Sequence, residues 1–113
     1  MKFAYKIWIE REDEAAFGKG IYRILSLVDE KGSLNKAAQE MKMSYRAVWG
    51  LVRLYEKRIG ADLVEKGRHG RNRTYLTPRA LRIMKCYEDV MRLMEGLSSK
   101  APVKKLLKSM EVE

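Results

Sequence analysis

Basic and aromatic side chains cluster along one stretch near the middle of the chain. Together with a serine and a glycine in the same stretch, the candidate contact residues are Ser44, Tyr45, Arg46, Trp49, Gly50, Arg53 and Lys57. Guanidinium groups donate paired hydrogen bonds to phosphate oxygens or to the edge of guanine, and lysine contributes a point charge to phosphate. Aromatic rings offer apolar contacts to thymine methyl groups and sugar edges. These residue types therefore indicate binding of a nucleic acid and not catalysis of a bond-breaking reaction.

The charge of the chain favours the same kind of partner. Its 113 residues include 24 Lys and Arg against 15 Asp and Glu, a net charge of +9. Residues 36–82 hold twelve of the basic residues and only four acidic ones, so nearly all of the excess lies there. Because this segment also contains periodic apolar positions, we expect it to be folded and basic at once, as in a nucleic-acid-binding domain.

Residues for catalysis, metals or cofactors form no recognisable pattern. Cys86 is the only cysteine, so an internal disulfide and a cysteine-based metal cluster are impossible, and we expect its side chain to be buried. The sequence contains no nucleophile–base pair, no phosphate-binding loop and no membrane-spanning apolar run, and we expect no signal peptide. We expect a cytoplasmic protein that is not an enzyme, has no cofactor, metal or membrane partner, and has no evident small-molecule effector.

Apolar periodicity predicts the elements that carry the basic residues. Alternation over residues 3–9 predicts a partly buried N-terminal strand. Three apolar stripes with helical spacing follow: Ile21, Ile24, Leu25 and Val28; Leu34, Ala37, Ala38 and Met41; Val48, Val52, Tyr55 and Ile59. Ser33 and Ser44 are the expected N-caps of the second and third helices, and Gly32 and Gly60 are expected to end the first and third.

A hairpin and a long helix complete the predicted order. Strands are expected at residues 63–64 and 74–77, joined by a basic, glycine-rich tip, and Thr77-Pro78 opens a helix that extends to about Gly96. Residues 103–110 add either a last turn or two or a frayed end. The order predicts a mainly α protein with a small β-hairpin: a winged helix-turn-helix over residues 1–77, a long dimerisation helix over 78–97 packed on it, and a short basic tail over 98–113.

The helix that begins at Ser44 becomes the recognition helix of this fold. Its first turns, with Tyr45 and Arg46, would reach base edges in the major groove, whereas Arg53, Lys57 and Arg58 lie further along and would meet phosphates.

Two residues of the recognition helix allow two interpretations each. Trp49 either contacts DNA or packs in the core or an interface. Gly50 permits either close approach of the backbone to DNA or tight packing against a neighbouring element.

The flanking elements supply further candidate contacts. Lys36 and Gln39, on the exposed side of the second helix, would meet phosphates. In the hairpin tip, the candidates are Arg68, His69, Arg71 and Arg73. A flexible arginine-rich wing suits a narrow minor groove, whose negative potential attracts arginine, and the alternative is a solvated loop.

The long helix carries two apolar stripes. They are Met84, Tyr87, Met91 and Met94 on one side and Ile83, Val90, Leu93 and Leu97 on the other. One stripe can cover the domain's own core, and the second needs a partner, which predicts a homodimer through residues of about 83–97. The alternative is a single wide buried face.

The sequence resembles a known family in several of these motifs. Residues 32–38 and 43–49 are similar to the N-terminal domain of ModE-type molybdate-responsive transcription regulators, and residues 55–60, 63–66, the glycine-rich wing and Leu76-Thr77 continue the resemblance, over about residues 3–97. LysR-type regulators share the pattern more loosely. The resemblance implies a homodimeric winged-helix repressor or activator, with the long helix in the dimer. Lys42 departs from the glycine often found in the turn, and we expect no oxyanion-binding domain after Gly96 and therefore no molybdate sensing.

Together these features predict a sequence-specific, double-stranded DNA-binding transcription regulator that acts as a homodimer. The alternatives are a non-specific architectural DNA-binding protein and a winged-helix module that binds proteins.

Overall fold

Three helices and a small hairpin follow one another in the order that the sequence predicts, and a second hairpin precedes them. The computed structural model describes residues 1–67 and 73–111. Its elements are β1 (Trp8–Arg11), β2 (Glu14–Gly18), α1 (Lys19–Lys31), α2 (Leu34–Glu40), α3 (Tyr45–Ile59), β3 (Val64–Lys66), β4 (Thr74–Leu76), α4 (Pro78–Glu95), a 3₁₀ turn (Gly96–Ser99) and α5 (Ala101–Met110). The mainly α, winged helix-turn-helix architecture is confirmed.

The ends of the helices lie where local side-chain chemistry places them. The hydroxyl groups of Ser33, Ser44 and Thr77 each accept a hydrogen bond from the backbone amide three residues later, at 3.1–3.2 Å. Each bond satisfies an amide that has no partner within its helix. At the opposite ends, Gly32 and Gly60 adopt left-handed φ angles of 72° and 81°, a conformation that glycine reaches without steric cost. The predicted N-caps of α2 and α3 and the predicted ends of α1 and α3 are confirmed.

The core lies between α1, α2 and α3 and is closed by β3, β4 and α4. Its fully buried side chains include Ile24, Leu25, Val28, Ala37, Ala38, Val48, Val52, Leu63 and Ala80. The two alanines of α2 have small side chains, so the neighbouring helices approach closely at this point. The short connection from α2 to α3 passes through Lys42, whose φ is 55°. A residue with a Cβ atom is strained in this conformation.

The N-terminal part of the chain differs from its prediction. The sequence predicts a strand over residues 3–9, but β1 begins at Trp8 and pairs with β2 in an antiparallel hairpin. The two residues of the turn, Glu12 and Asp13, both have positive φ angles of 52° and 66°. The sequence does not reveal this turn, because it lacks the glycine or asparagine that usually marks such a hairpin.

Residues 3–7 pack along α4 without pairing as a strand, which explains their alternating apolar pattern. The hydroxyl of Tyr87 donates to the carbonyl of Ile7 at 2.9 Å, and that of Tyr5 donates to the carbonyl of Met91 at 3.4 Å. Tyr87 also packs edge-on against Phe17, with 5.1 Å between ring centres, and its burial raises the pKa of its hydroxyl. Tyr87 of α4 therefore contacts the N-terminal segment through a hydrogen bond and β2 through its ring.

The C-terminal part extends beyond its prediction. Residues 101–110 form a regular helix, α5, instead of a last turn or two, and no residue of α5 is buried. The described residues span 64 × 28 × 22 Å, so the molecule is elongated. The expected burial of Cys86 is wrong, because its side chain is exposed on α4.

The strained turn at Lys42 yields a prediction for stability. Lys42→Gly should raise the free energy of unfolding by up to about 1 kcal/mol, because glycine removes the left-handed strain. Lys36→Gly, which removes the same charge from inside α2, should lower it by about 1 kcal/mol. Equilibrium unfolding in urea measures both values. An equal loss of stability in the two variants would contradict the account of this turn.

Candidate nucleic-acid interface

Helix α3 presents two different sides. Val48 and Val52 are fully buried, and Tyr55 and Ile59 are half-buried against the core. The other side is exposed and carries Ser44, Tyr45, Arg46, Gly50, Arg53 and Lys57. Apart from Trp49 and Arg58, the structure thus brings the predicted contact residues of this helix together on one accessible, basic face.

Trp49 combines the two interpretations that the sequence leaves open. Its ring is half-buried and packs against the core. Two cations approach the ring: the guanidinium carbon of Arg53 lies 4.4 Å from its centre, and the ammonium nitrogen of Lys66 lies 5.4 Å from it. Cations at these distances are attracted to the negative face of an aromatic ring. Trp49 therefore joins a cation of the recognition helix to a cation at the end of β3.

Gly50 lies in open space on the exposed side of α3. A Cβ atom built at this position would meet no described atom within 4 Å outside its own stretch of helix. Within the described residues, tight packing against a neighbouring element therefore does not explain this glycine.

A buried carboxylate lies beneath the basic face and escapes the sequence analysis. Glu56 is 7% exposed, and its Oε2 accepts hydrogen bonds from the amides of Leu63, at 2.8 Å, and Val64, at 3.3 Å. Its Oε1 lies 3.7 Å from Nη1 of Arg53. The signal for it was present, because Glu56 is the only acidic residue of α3.

Arg58, for which the sequence predicts a phosphate contact, is half-buried and bonded within the protein. Its Nη1 donates to the carbonyl of Ala15 at 2.9 Å, and its Nε lies 3.2 Å from a carboxylate oxygen of Glu14. In return, Nη1 of Arg11 donates to the carbonyl of Ile59 at 3.2 Å, at the end of α3. These contacts occupy the guanidinium of Arg58, and they fasten the N-terminal hairpin to the C-terminal end of the recognition helix.

The flanking candidates lie on α2 and on the wing. Lys36 and Gln39 are exposed on α2, as the sequence predicts. Arg73 is exposed at the start of β4, with its guanidinium carbon 5.2 Å from the ring centre of Tyr75. The amide of Thr74 donates to the carbonyl of Gly32 at 3.0 Å, which ties the wing to the end of α1. The other wing candidates, Arg68, His69 and Arg71, lie outside the described residues.

The described part of the chain shows neither a cluster of metal ligands nor a membrane-spanning helix. Over residues 1–67 and 73–111, acidic, histidine and cysteine side chains form no group of three or more that could hold a metal ion. Within the same ranges, each helix is too short or too polar to cross a membrane.

Three helices, the third with an exposed basic side, are followed by a β-hairpin. This arrangement is that of a winged helix-turn-helix protein. Residues 22–81 match the sequence model of the family of bacterial regulatory helix-turn-helix proteins, lysR family. The chain therefore belongs to this family of bacterial regulatory helix-turn-helix proteins.

Individual relatives agree with this assignment. The chain is 32% identical over 75 residues to the transcriptional regulator ModE of Haemophilus influenzae; the match covers 65% of this chain and 29% of that protein. The resemblance to the helix-turn-helix of ModE-type and LysR-type regulators is thus confirmed. The chain spans less than a third of this relative's length.

Two solved structures share the fold. One is a chain of the CbnR_DBD–DNA complex, with a TM-score of 0.54 and 18% identity, covering 66% of this chain and 82% of that chain. The other is oxidized OxyR of Corynebacterium glutamicum, with a TM-score of 0.55 and 15% identity, covering 69% of this chain and 24% of that chain. At these identities, the likeness is one of fold.

The different surroundings of two neighbouring cations yield a second prediction. Arg58→Gln should lower the free energy of unfolding by about 1–3 kcal/mol, because the carbonyl of Ala15 loses its charged donor. Lys57→Gln removes the same charge from an exposed position and should change the value by less than about 0.5 kcal/mol. Urea unfolding compares the two variants. Equal stabilities would show that Arg58 is not an anchor of the hairpin.

Proposed function

We propose that this protein binds double-stranded DNA in a sequence-specific manner, acts as a homodimer and regulates transcription in the cytoplasm. The observation that carries the proposal is the exposed basic face of α3, which begins at a capped helix N-terminus and is free of packing contacts at its centre. A major groove accommodates one α-helix, and residues near the N-terminus of that helix reach the base edges.

The residues of α3 would divide the work by their position along the helix. Tyr45, Arg46 and Trp49 lie in its first turns and would read base edges, with Arg46 suited to a paired contact with guanine. The absence of a side chain at Gly50 lets the backbone approach the DNA closely. Arg53 would bind phosphates, which position the protein without reading sequence.

Contacts to the DNA backbone would extend to both sides of the recognition helix. We propose that Lys57, together with Lys36 and Gln39 on α2, contacts phosphates. The wing would enter the adjacent minor groove with Arg68, His69, Arg71 and Arg73. Arginine favours a narrow minor groove because the negative potential there is strongest.

The second apolar stripe of α4 supports the homodimer. Val90 and Leu97 are exposed, and Leu93 is 74% exposed, whereas Met84 and Tyr87 of the first stripe are buried in the chain's own core. Residues of about 83–97 would pair with the same residues of a second copy. A two-fold symmetric dimer would place its recognition helices about 34 Å apart, one turn of DNA, and favour a palindromic site.

A division of the chain follows from this proposal. Residues 1–77 form the DNA-binding domain, residues 78–97 the dimerisation helix packed on it, and residues 98–113 a basic tail that includes α5.

Selection of bound duplexes from a random pool tests DNA recognition. We expect a palindromic consensus. Arg46→Ala should weaken binding to the selected duplex by about 1–3 kcal/mol and relax the preference at one base position. Lys57→Gln should instead weaken selected and random duplexes alike and reduce the salt dependence by roughly one phosphate contact.

Three results of this experiment would overturn parts of the proposal. A specificity ratio near one would favour a non-specific architectural protein. Absence of salt-sensitive duplex binding would favour a module that binds proteins. Loss of binding to all duplexes with Arg46→Ala would place that side chain at a phosphate rather than a base.

The dimer has its own test. Leu93→Glu should give a monomer at concentrations at which the unchanged chain is a dimer, because burying an unpaired carboxylate at the interface is costly. Leu81→Glu is the matched control, since Leu81 is also exposed on α4 but lies outside the proposed interface. Sedimentation equilibrium distinguishes the species. If the Leu93→Glu variant remained a dimer, the dimer interface would lie outside the second apolar stripe of α4.

A further inference from the structure

The recognition helix and the wing are joined beneath the basic face by one carboxylate. Glu56 projects from α3 into the core and is 7% exposed. Burial of a carboxylate is costly unless hydrogen bonds and an opposite charge compensate for the lost water. Both kinds of compensation are present here, and each comes from a different part of the candidate interface.

One oxygen of this carboxylate holds the wing. Oε2 accepts hydrogen bonds from the amides of Leu63 and Val64, at 2.8 and 3.3 Å. These amides lie where the chain enters β3. They fix the start of that strand relative to α3, because hydrogen bonds to a charged acceptor are shorter and stronger than neutral ones.

The other oxygen holds the recognition helix's own cation. Oε1 of Glu56 is buried without a hydrogen-bond partner in the described part of the chain, and it faces Nη1 of Arg53 at 3.7 Å. The guanidinium of Arg53 in turn lies over the ring of Trp49, 4.4 Å from its centre. The carboxylate thus draws the guanidinium along the helix and against the ring.

These contacts form a closed circuit between α3 and β3. Lys66, at the far end of β3, approaches the same ring of Trp49 at 5.4 Å. The path runs from the start of β3 to Glu56, then to Arg53, to Trp49, to Lys66, and back along β3. Two cations and an indole from two elements are therefore held in one arrangement by a negative charge that is itself hidden from solvent.

We propose that Glu56 is a positioning residue for DNA binding: it sets the direction of Arg53 and the spacing between α3 and the wing, and it does not touch DNA. This inference rests on the proposed function. Burial keeps the negative charge of Glu56 away from DNA phosphates, while its field orients the cation that meets them. If Glu56 served only to bind the amides of β3, replacing its charge while keeping an acceptor oxygen would leave DNA binding unchanged.

Glu56→Gln separates these two roles, and Glu65→Gln is its matched control. Glutamine retains an oxygen that can accept from the amides of Leu63 and Val64, but it loses the charge that faces Arg53. Glu65 is exposed on β3, so both variants remove one negative charge near the same elements. By charge alone, both should bind DNA slightly more tightly.

We expect Glu56→Gln to bind the selected duplex about tenfold more weakly than Glu65→Gln at the same salt concentration. Equal affinities would overturn the proposal. If the unchanged chain and both variants fail to bind any duplex, the proposed function fails and this inference fails with it.

A measurement without DNA tests the geometry separately. In a Trp8→Phe background, Trp49 is the only tryptophan, and quenching by acrylamide, a neutral molecule, reports how accessible its ring is. Glu56→Gln should raise this quenching because the guanidinium of Arg53 leaves the ring. Glu65→Gln should not change it.

Arg53→Gln keeps the inference testable if Glu56→Gln does not fold. This variant leaves the carboxylate bound to the amides of β3, and it should raise the quenching of Trp49, whereas Lys57→Gln should not. Unchanged quenching in Arg53→Gln would overturn the proposed arrangement.

Discussion

Burial of one side of α3 is the constraint on which the rest of the structure depends. Val48 and Val52 are fully buried where α3 packs against α2 and α1, and burying each valine stabilises the fold by about 1.5–3 kcal/mol. Side chains on a helix have fixed directions relative to one another. Fixing the buried side therefore fixes the direction of Arg46 and Gly50 on the other side, and the small side chains of Ala37 and Ala38 allow the helices to pack closely.

Polar contacts of different kinds then hold each part of the recognition helix. Ser44 caps its first turn, Glu56 links its last turns to β3, and Arg58 and Arg11 exchange bonds between its C-terminal end and the N-terminal hairpin. The basic residues of α3 thus have two different roles. Exposed cations remain available to a polyanion, while Arg58 is used within the protein.

The sequence predicts the helices well because their signals are local. Caps such as Ser44 and Gly60 and apolar stripes act within a few residues, so α1 to α4 and the strands β3 and β4 are confirmed. The role of Arg58 was missed because it depends on residues far apart in sequence: Arg58 bonds Ala15, 43 residues away. No local pattern distinguishes that arginine from its exposed neighbour Lys57. Glu56 was missed because its partners belong to another element, although an isolated acid in a basic helix is a usable signal.

The central claim is that the exposed side of α3 meets DNA, and a backbone amide NMR titration with the selected duplex tests it most directly. The account predicts that the largest shifts occur over residues 44–57, with smaller ones near Lys36 and on β3 and β4. The basic helix α5, with Lys104, Lys105 and Lys108, offers an internal comparison and should change little. Large shifts confined to α5, with α3 unchanged, would contradict the account.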